Sequence, residues 1–323
     1  MNRAQETLRV RVTRKEKIAL DIAVFEFANT EDGPLPDFSA GAHVDVHIAD
    51  QVARQYSLCA APDKKNRYQI AVLLVDHGRG GSRAMHETLD VGDVVTISKP
   101  KNRFPLVSAS GHVHLFAGGI GITPMICMAD ELSSRQQTFT LHYFARSKEK
   151  AAFQDRLQSA PYADRVRLHF GDSAGSARSD LEAHLESPQP DANVYVCGPQ
   201  GFMDAILHEA KRRGWLDAQL HQERFGVEEK RVSGESDFEV VLAKSGRSIR
   251  ISPEVSIVTA LAAEGVTVET SCEQGVCGTC LTRVLEGEPD HRDVYLTDTE
   301  HAANDQILPC CSRSKSPRLI LDL

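Results

Sequence analysis

Four cysteines near the C-terminus constrain this chain more than any other feature of its sequence. Three of them lie in the run Ser271-Cys-Glu-Gln-Gly-Val-Cys-Gly-Thr-Cys280, and Cys310 follows after 29 intervening residues. The spacing C-x4-C-x2-C-x29-C is typical of the plant-type ligation of a [2Fe–2S] cluster. Gly275 and Gly278 suit a loop that must turn sharply and bring N–H groups close to the sulfurs. We therefore predict a two-iron cluster bound at Cys272, Cys277, Cys280 and a fourth thiol.

Other uses of the cysteines fit this pattern less well. A structural zinc site favours two C-x2-C pairs, whereas here the fourth cysteine stands alone. A disulfide framework is typical of short secreted chains, and this chain has 323 residues and no apolar signal segment over Met1–Thr7. The adjacent pair Cys310-Cys311 leaves the fourth ligand open, although the x29 spacing favours Cys310.

Length and composition indicate a globular protein of two or three domains. Hydrophobic residues make up 41% of the chain and charged residues 25%. No run of about 18 apolar residues is present, so we expect no membrane span. A reducing cytoplasm is expected, where thiolates stay available for a metal centre. The formal charge of −8 argues against nucleic acid as a partner.

The negative charge is concentrated near the cysteines. Residues 237–323 hold 14 acidic residues against 8 Lys and Arg, a net of −6. An acidic surface around a redox centre would steer it toward a basic acceptor. The same residues would equally serve to keep a small domain soluble.

The N-terminal third of the chain alternates in short, strand-like runs over residues 1–108. These runs are Leu8–Val12, Ile18–Ile22, Val44–Ile48, Tyr68–Leu74 and Val94–Ile97, with turn residues such as Gly33-Pro34 and Val91-Gly92-Asp93 between them. Many short strands separated by turn signals predict an antiparallel β-barrel or sandwich.

The pattern changes to strand, loop and helix over residues 109–226. We predict strands at His112–Ala117, Phe139–Phe144, Val166–Phe170 and Val194–Cys197, and helices at Thr123–Leu132, Lys148–Leu157 and Phe202–Lys211. This order is typical of a doubly wound parallel sheet in an α/β domain. Residues 227–236 are polar and without period, which predicts a linker. Residues 237–323 then form a small α+β domain around the cysteines.

Two segments of the first domain have the chemistry of a cofactor site. In Arg54-Gln-Tyr-Ser57, strand alternation would place Arg54 and Tyr56 on one side, where they suit a phosphate and a flat heterocycle. Ser57 would then reach a ring nitrogen, although such a strand more often only pairs. The run Gly78-Arg-Gly-Gly-Ser82 precedes a predicted helix at Arg83–Leu89 and forms either an anion site or a flexible loop capped by Ser82.

Two loops of the second domain lie where a doubly wound sheet binds a nucleotide. Gly118-Gly-Ile-Gly-Ile-Thr-Pro124 follows the first strand directly, although it is not a G-x-G-x-x-G fingerprint. Cys197-Gly-Pro199 follows the strand that ends at Cys197. No base is spaced to activate that thiol, so we do not expect a nucleophile. Cys59 and Cys127 are interpreted as small core residues.

Taken together, these segments resemble the ferredoxin–NADP reductase superfamily, and in particular its phthalate dioxygenase reductase and vanillate demethylase reductase branch. The resemblance covers nearly the whole chain in order, from flavin barrel to nucleotide domain to C-terminal ferredoxin. The ending Cys310–Leu323 and the run Asp290-His-Arg-Asp293 are similar to that branch as well. It implies a three-domain fold: an antiparallel β-barrel, a doubly wound α/β domain and a β-grasp ferredoxin.

The resemblance also implies roles for individual residues. The flavin would be held by Arg54, Tyr56, Ser57, Arg79, Gly80, Gly81, Ser82, Thr123 and Phe225; the dinucleotide by Gly118, Gly119, Gly121, Cys197, Gly198 and Pro199; and the cluster by Cys272, Cys277, Cys280 and Cys310. A flavin phosphate at Gly80–Ser82 favours FMN. The branch prefers NADH, whereas Arg146 would accept a 2′-phosphate and Asp172 would disfavour one.

These cofactors form a chemically sensible series. Nicotinamide delivers two electrons as a hydride, a two-iron cluster accepts one at a time, and a flavin is stable at both stages. No side chain is then needed as a general acid or base, so we predict no catalytic residue. By resemblance, the partner is a terminal Rieske-type oxygenase that acts on an aromatic or small organic acid. The alternatives are a reductase for a cytochrome P450 or di-iron monooxygenase, and a redox-sensing module.

Overall fold

The chain divides into two compact units, Met1–Arg224 and Phe225–Leu323. The computed structural model describes residues 7–31, 33–49, 52–60, 66–75, 80–108, 110–171, 185, 188–225 and 236–323, without the side chains of 49 and 52. Except for Ser236, the predicted linker lies outside these residues, and the predicted domain boundaries stay a prediction. None of the helices in the described ranges has the length and apolar character that crossing a bilayer requires.

The first part of the larger unit is an antiparallel barrel. Its elements are β1 (Thr7–Ala19), β2 (Ile22–Asn29), β3 (Ala42–Ala49), β4 (Val52–Ser57), β5 (Tyr68–Leu73), α1 (Gly81–Glu87), β6 (Val94–Ser98) and β7 (Lys101–Asn102). The strand order is β4-β3-β6-β1-β2-β5, with β7 beside β3. A bridge between Leu58 and Ile70 closes the sheet, so the predicted barrel is confirmed.

Period-two alternation explains why these segments form a barrel. Val10 and Val12, Phe25 and Phe27, and Val44 and Val46 are fully buried in its interior. Each such side chain contributes about 1.5–3 kcal/mol on burial. The predicted strand Ile18–Ile22 is wrong, because it contains the turn between β1 and β2, where Asp21 has φ 62°.

The second part of the larger unit is a parallel sheet with the strand order β10-β9-β8-β11-β12. Its elements are β8 (Val113–Gly118), α2 (Ile122–Ser134), β9 (Phe139–Ala145), α3 (Gln154–Ser159), β10 (Val166–Phe170), β11 (Asn193–Cys197), α4 (Gln200–Arg212) and β12 (Leu220–Glu223). All neighbouring pairs are parallel, and the order reverses between β8 and β11. The predicted doubly wound sheet is confirmed. The predicted helix Lys148–Leu157 is only partly correct, because Phe153 has φ 62° and splits it.

The barrel and the parallel sheet pack directly on each other. Arg156 Nη1 donates to Cys59 O at 2.7 Å, and Cys127 Sγ donates to Ala60 O at 3.2 Å. Both cysteines are fully buried, as expected of core residues. Helix α2 is buried along most of its length because it contributes to this contact and covers the sheet.

The smaller unit is a mixed sheet with a helix across it. Its elements are β13 (Phe238–Leu242), β14 (Ser248–Ile251), α5 (Ile257–Ala263), β15 (Thr282–Glu286), β16 (Pro289–Asp290), α6 (Asp298–Ala303), β17 (Gln306–Ile307), β18 (Arg313–Ser314) and β19 (Arg318–Leu321). The main sheet runs β14-β13-β19-β15-β17, with β13 and β19 parallel. Ile257 and Leu261 of α5 pack into its core. The predicted β-grasp domain is confirmed.

Candidate functional site

The structure brings four buried cysteine sulfurs of the smaller unit together, three from the loop before β15 and one from the segment after β17. Cys272, Cys277, Cys280 and Cys310 are at most 8% exposed. The Cys272 sulfur is hydrogen-bonded to Cys277 and the Cys280 sulfur to Cys310, which also contacts Cys311. Two neighbouring pairs of sulfurs suit a cluster in which each of two irons takes two protein thiolates.

Backbone N–H groups point at these sulfurs. Gln274 N–H donates to Cys272 Sγ at 3.3 Å, and Thr279 N–H donates to Cys277 Sγ at 3.4 Å. The hydrogen bond from the Cys272 thiol lowers the pKa of Cys277 to about 5, whereas that contact and burial raise the pKa of Cys272. The pocket therefore does not favour four thiolates by itself. Cations such as the two irons of a cluster fit this donor set.

Gly275 gives the loop its turn and leaves room for a fifth cysteine behind it. Its φ is +70°, and a Cβ there would lie 2.6 Å from Cys311 Sγ and 2.9 Å from Asp293 Cα. Val294 N–H donates to Gly275 O at 3.0 Å. A hydrogen bond to Cys310 and burial raise the pKa of the Cys311 thiol. Cys311 thus packs against the back of the loop, while Cys310 faces Cys280.

A second group of predicted residues surrounds the start of α1 in the barrel. A Cβ at Gly81 would lie 2.7 Å from Cγ of Arg54, so the arginine stem of β4 lies against this turn. Gly80 has φ 78°, and Ser82 Oγ accepts the Val75 N–H at 3.1 Å. This open turn beside a guanidinium fits a phosphate. Arg79 lies outside the described residues.

Tyr56 and Ser57 lie on the same strand as Arg54. Burial raises the pKa of Tyr56, whose ring packs against the barrel core. Ser57 Oγ donates to Glu223 Oε2 at 3.2 Å, which links β4 to the end of β12. Burial raises the pKa of the Glu223 carboxyl to about 8. No role was predicted for Glu223, although an acid at the carboxyl end of a doubly wound strand is a signal that points to it.

The two glycine loops of the nucleotide domain meet where the strand order reverses. A Cβ at Gly121 would lie 2.2 Å from Cys197 O, and one at Gly198 would lie 2.9 Å from Gly118 Cα. Only glycine permits backbones to approach this closely. The structure thus places both predicted loops at the crevice where such sheets bind nucleotides.

The remaining predicted residues of the nucleotide domain lie around the same crevice, whereas Phe225 belongs to the smaller unit. Thr123, in the first turn of α2, is 2% exposed and donates to Ile120 O at 3.0 Å. A Cβ added at Gly119 would meet no atom within 4 Å. Pro199 lies directly before α4. Burial raises the pKa of Cys197 well above its usual value, which agrees with its not being a nucleophile. Phe225 is half-exposed and begins the smaller unit.

Comparison with known proteins agrees with this geometry. Family models for an oxidoreductase FAD-binding domain, an oxidoreductase NAD-binding domain and a 2Fe-2S iron-sulfur cluster binding domain match residues 9–105, 115–208 and 240–315. A vanillate O-demethylase oxidoreductase of Pseudomonas sp. (strain HR199 / DSM 7063) is 46% identical over 98% of this chain and 100% of its own length.

Solved structures extend the comparison to the fold. The structure of phthalate dioxygenase reductase matches with a TM-score of 0.83 and 39% identity, covering 98% of both chains. An intact type IV self-sufficient cytochrome P450 monooxygenase matches with a TM-score of 0.75 and 38% identity, over 98% of this chain and 41% of that one.

These relationships confirm the predicted classes of cofactor, which are a flavin, a [2Fe–2S] cluster and a pyridine nucleotide. They also confirm an electron-transfer oxidoreductase that serves oxygenase systems. The chain belongs to the phthalate dioxygenase reductase and vanillate O-demethylase reductase family.

Proposed function

We propose that the chain is the reductase component of a Rieske-type oxygenase system and passes electrons from NADH to a terminal oxygenase. The observation that carries this proposal is the buried set of four cysteine sulfurs at the loop around Gly275. Two of these sulfurs accept hydrogen bonds from backbone N–H groups. A flavin held by the barrel would supply the chemistry that converts a hydride from NADH into single electrons for the cluster. The protein supplies position and electrostatics.

Residues of the barrel would hold the flavin. Arg54 and the turn at Gly80, Gly81 and Ser82 would bind its phosphate, because the arginine stem lies against that turn. Arg79 and Phe225 keep the flavin-binding roles that the resemblance implies. Tyr56 would cover the ring and Ser57 would hydrogen-bond near N5, with Thr123 approaching from the second domain. A phosphate bound at this turn ends the ligand there and favours FMN.

The crevice between β8 and β11 would hold the nucleotide. Gly118, Gly119 and Gly121 would line its backbone, and Cys197, Gly198 and Pro199 would lie near the nicotinamide. The Glu223 carboxyl stays protonated up to a pH of about 8. It contacts Ser57 where the barrel meets the parallel sheet. A neutral carboxyl there places no negative charge beside the flavin ring. Arg146 is exposed after β9, whereas Asp172 lies outside the described residues.

Cys310, rather than Cys311, would complete the cluster with Cys272, Cys277 and Cys280. The test is a pair of serine variants assayed for iron, acid-labile sulfide and reduction of the flavin by NADH. We expect Cys310→Ser to lose the cluster and keep flavin reduction, and Cys311→Ser to keep both. Loss of the cluster only in Cys311→Ser would contradict the assignment, and a wild-type protein without iron or flavin would contradict the proposed function.

The terminal acceptor is proposed to be an oxygenase that docks on the acidic smaller unit. All eight cysteines are free, which agrees with a cytoplasmic location, and the acidic charge agrees with a protein acceptor and not nucleic acid. A cytochrome P450 is the second candidate acceptor, because the match to the self-sufficient P450 covers nearly this whole chain. NADH-driven reduction of each purified acceptor would distinguish the two. Turnover with cytochrome c would exclude a sensing module, which should turn over poorly.

A further inference from the structure

A second cluster of metal-ligating side chains lies behind the cysteine loop. His291, Asp293 and His301 each offer one ligand atom, and these atoms lie within 4.8 Å of one another. Asp293 is fully buried at its side chain, His291 is 8% exposed and His301 is 26% exposed. The ring centroids of the two histidines lie 4.5 Å apart in a stacked arrangement, and each ring has one nitrogen within 4 Å of an Asp293 oxygen.

The hydrogen bonds of His291 aim a lone pair at this carboxylate. Its Nε2 lies 3.2 Å from Asn304 Oδ1, an acceptor, so this nitrogen carries the hydrogen of the neutral ring. Nδ1 is then a lone pair that faces Asp293 Oδ1 at 3.8 Å. Within the described residues, neither of these two buried atoms has a hydrogen-bond partner. Two acceptors facing each other without a donor between them are stabilised by a cation.

The distance between His291 and Asp293 suits a shared ion better than a hydrogen bond. At 3.8 Å, His291 Nδ1 and Asp293 Oδ1 are too far apart for a hydrogen bond. Two ligands of one tetrahedral zinc lie about 3.3–3.5 Å apart, because Zn–N and Zn–O bonds are about 2.0–2.2 Å. The third ligand atom, His301 Nε2, is within hydrogen-bond distance of Asp293 Oδ2 at 3.2 Å, and that contact would give way to the ion. All three atoms lie within 4.8 Å of one another, and the two stacked rings would have to rotate for their lone pairs to meet on one ion.

The surroundings of the cluster resemble those of metal sites. Metal-ligating histidines usually donate their other ring N–H to a carbonyl or carboxylate, as His291 does to Asn304. Asp293 Oδ2 accepts the N–H groups of Tyr295 and Leu296 at 3.2 and 2.9 Å, which orients the carboxylate. Two imidazoles and one carboxylate suit zinc-class ions. The exposed edge of His301 leaves a route for the ion and a place for water.

We propose that His291, Asp293 and His301 form a binding site for a zinc-class divalent cation, with water as the fourth ligand. The site is distinct from the cysteine loop but is joined to it, because Asp293 lies against Gly275 and the next residue donates to Gly275 O. A bound ion would hold residues 291–301 in place and so stabilise the cysteine loop, which packs against Asp293 at Gly275. It adds to the proposed function without depending on it.

Isothermal titration of the flavin- and cluster-loaded protein with ZnCl2 tests the proposal. We expect one equivalent to bind, with at least tenfold weaker binding in His301→Gln. His208→Gln removes an exposed histidine from α4 and should bind within about twofold of wild type. Asn304→Gly keeps the left-handed backbone at φ 54° but removes the acceptor, and should bind about 10–100-fold more weakly.

The visible spectrum and circular dichroism are recorded alongside each titration. They show that each variant is folded and that zinc does not displace iron from the cysteines. Equal zinc binding by wild type and His301→Gln, or no binding by wild type, would overturn the proposal. The readout is binding and not turnover, so its failure is separate from failure of the proposed electron transfer.

Discussion

Substituting alanine at Gly275 tests whether the cysteine loop depends on the close contact behind it. Gly246, in the turn after β13, is the matched control. The two glycines have φ values of +70° and +67°, but a Cβ at Gly246 would have nothing within 4 Å. Both substitutions force alanine into the left-handed region, whereas only Gly275→Ala also drives a methyl group into Cys311 Sγ and Asp293 Cα.

The expected magnitudes follow from these two terms. Left-handed backbone costs an alanine about 1–2 kcal/mol, which applies to both variants. Overpacking adds about 1–3 kcal/mol, which applies to Gly275→Ala alone because one of the atoms it meets is backbone. We therefore expect the two variants to differ by about 1–3 kcal/mol. If this strain is relieved when the loop opens, Gly275→Ala loses its cluster about 5–150-fold faster than Gly246→Ala.

Cluster loss is measured as the rate at which a ferrous chelator takes iron from the holoprotein at fixed urea concentration, read with the visible absorbance. Wild type, Gly246→Ala and Gly275→Ala are compared under one set of conditions. Gly246→Ala should stay within a few-fold of wild type, and Gly275→Ala should lose iron much faster than either. Equal rates for the two variants would refute the reasoning, because they would show that the contact with Cys311 and Asp293 carries no cost.

Three further substitutions test the larger unit. Gly121→Ala would push the start of α2 away from β11 and should slow flavin reduction by NADH at least tenfold, as measured by stopped-flow. The control Gly201→Ala, whose methyl group would meet no atom within 4 Å, should keep the wild-type rate. Because the pKa of Glu223 is raised to about 8, its stabilising contribution is complete below about pH 4.5 and lost as the pH rises toward 8. Glu223→Gln should remove that part of the pH dependence of thermal unfolding; an unchanged profile would contradict this. Arg156→Ala removes the ion pair with Asp130, which is 2.5 Å long, and should lower the free energy of unfolding by about 2–3 kcal/mol. A decrease of less than about 0.5 kcal/mol would show that the pair behaves as a solvent-exposed one.

Structural features that depend on residues close together in the chain could be predicted from the sequence. The cysteine spacing, the glycine loops after strands and the alternation of the barrel strands each lie within a short window, and the structure has them where they were predicted. The wrong strand Ile18–Ile22 and the partly correct helix Lys148–Leu157 have one cause. Asp21 and Phe153 adopt left-handed backbone that non-glycine residues rarely take, so neither turn has a glycine to mark it.

Features that join distant segments were decided only by the tertiary structure. Glu223 meets Ser57 across 166 residues of sequence, and the Cys310 sulfur, whose role as fourth ligand stays a prediction, lies against Cys280. In the run Asp290-His-Arg-Asp293, the sequence showed a likeness to the family, whereas folding brings both His291 and His301 to the Asp293 carboxylate. Residue type and spacing thus determined which chemistry the chain carries, because ligand sets and turns are local. Folding decided which side chains meet and how deeply water is excluded, because burial and contact depend on elements far apart in the chain.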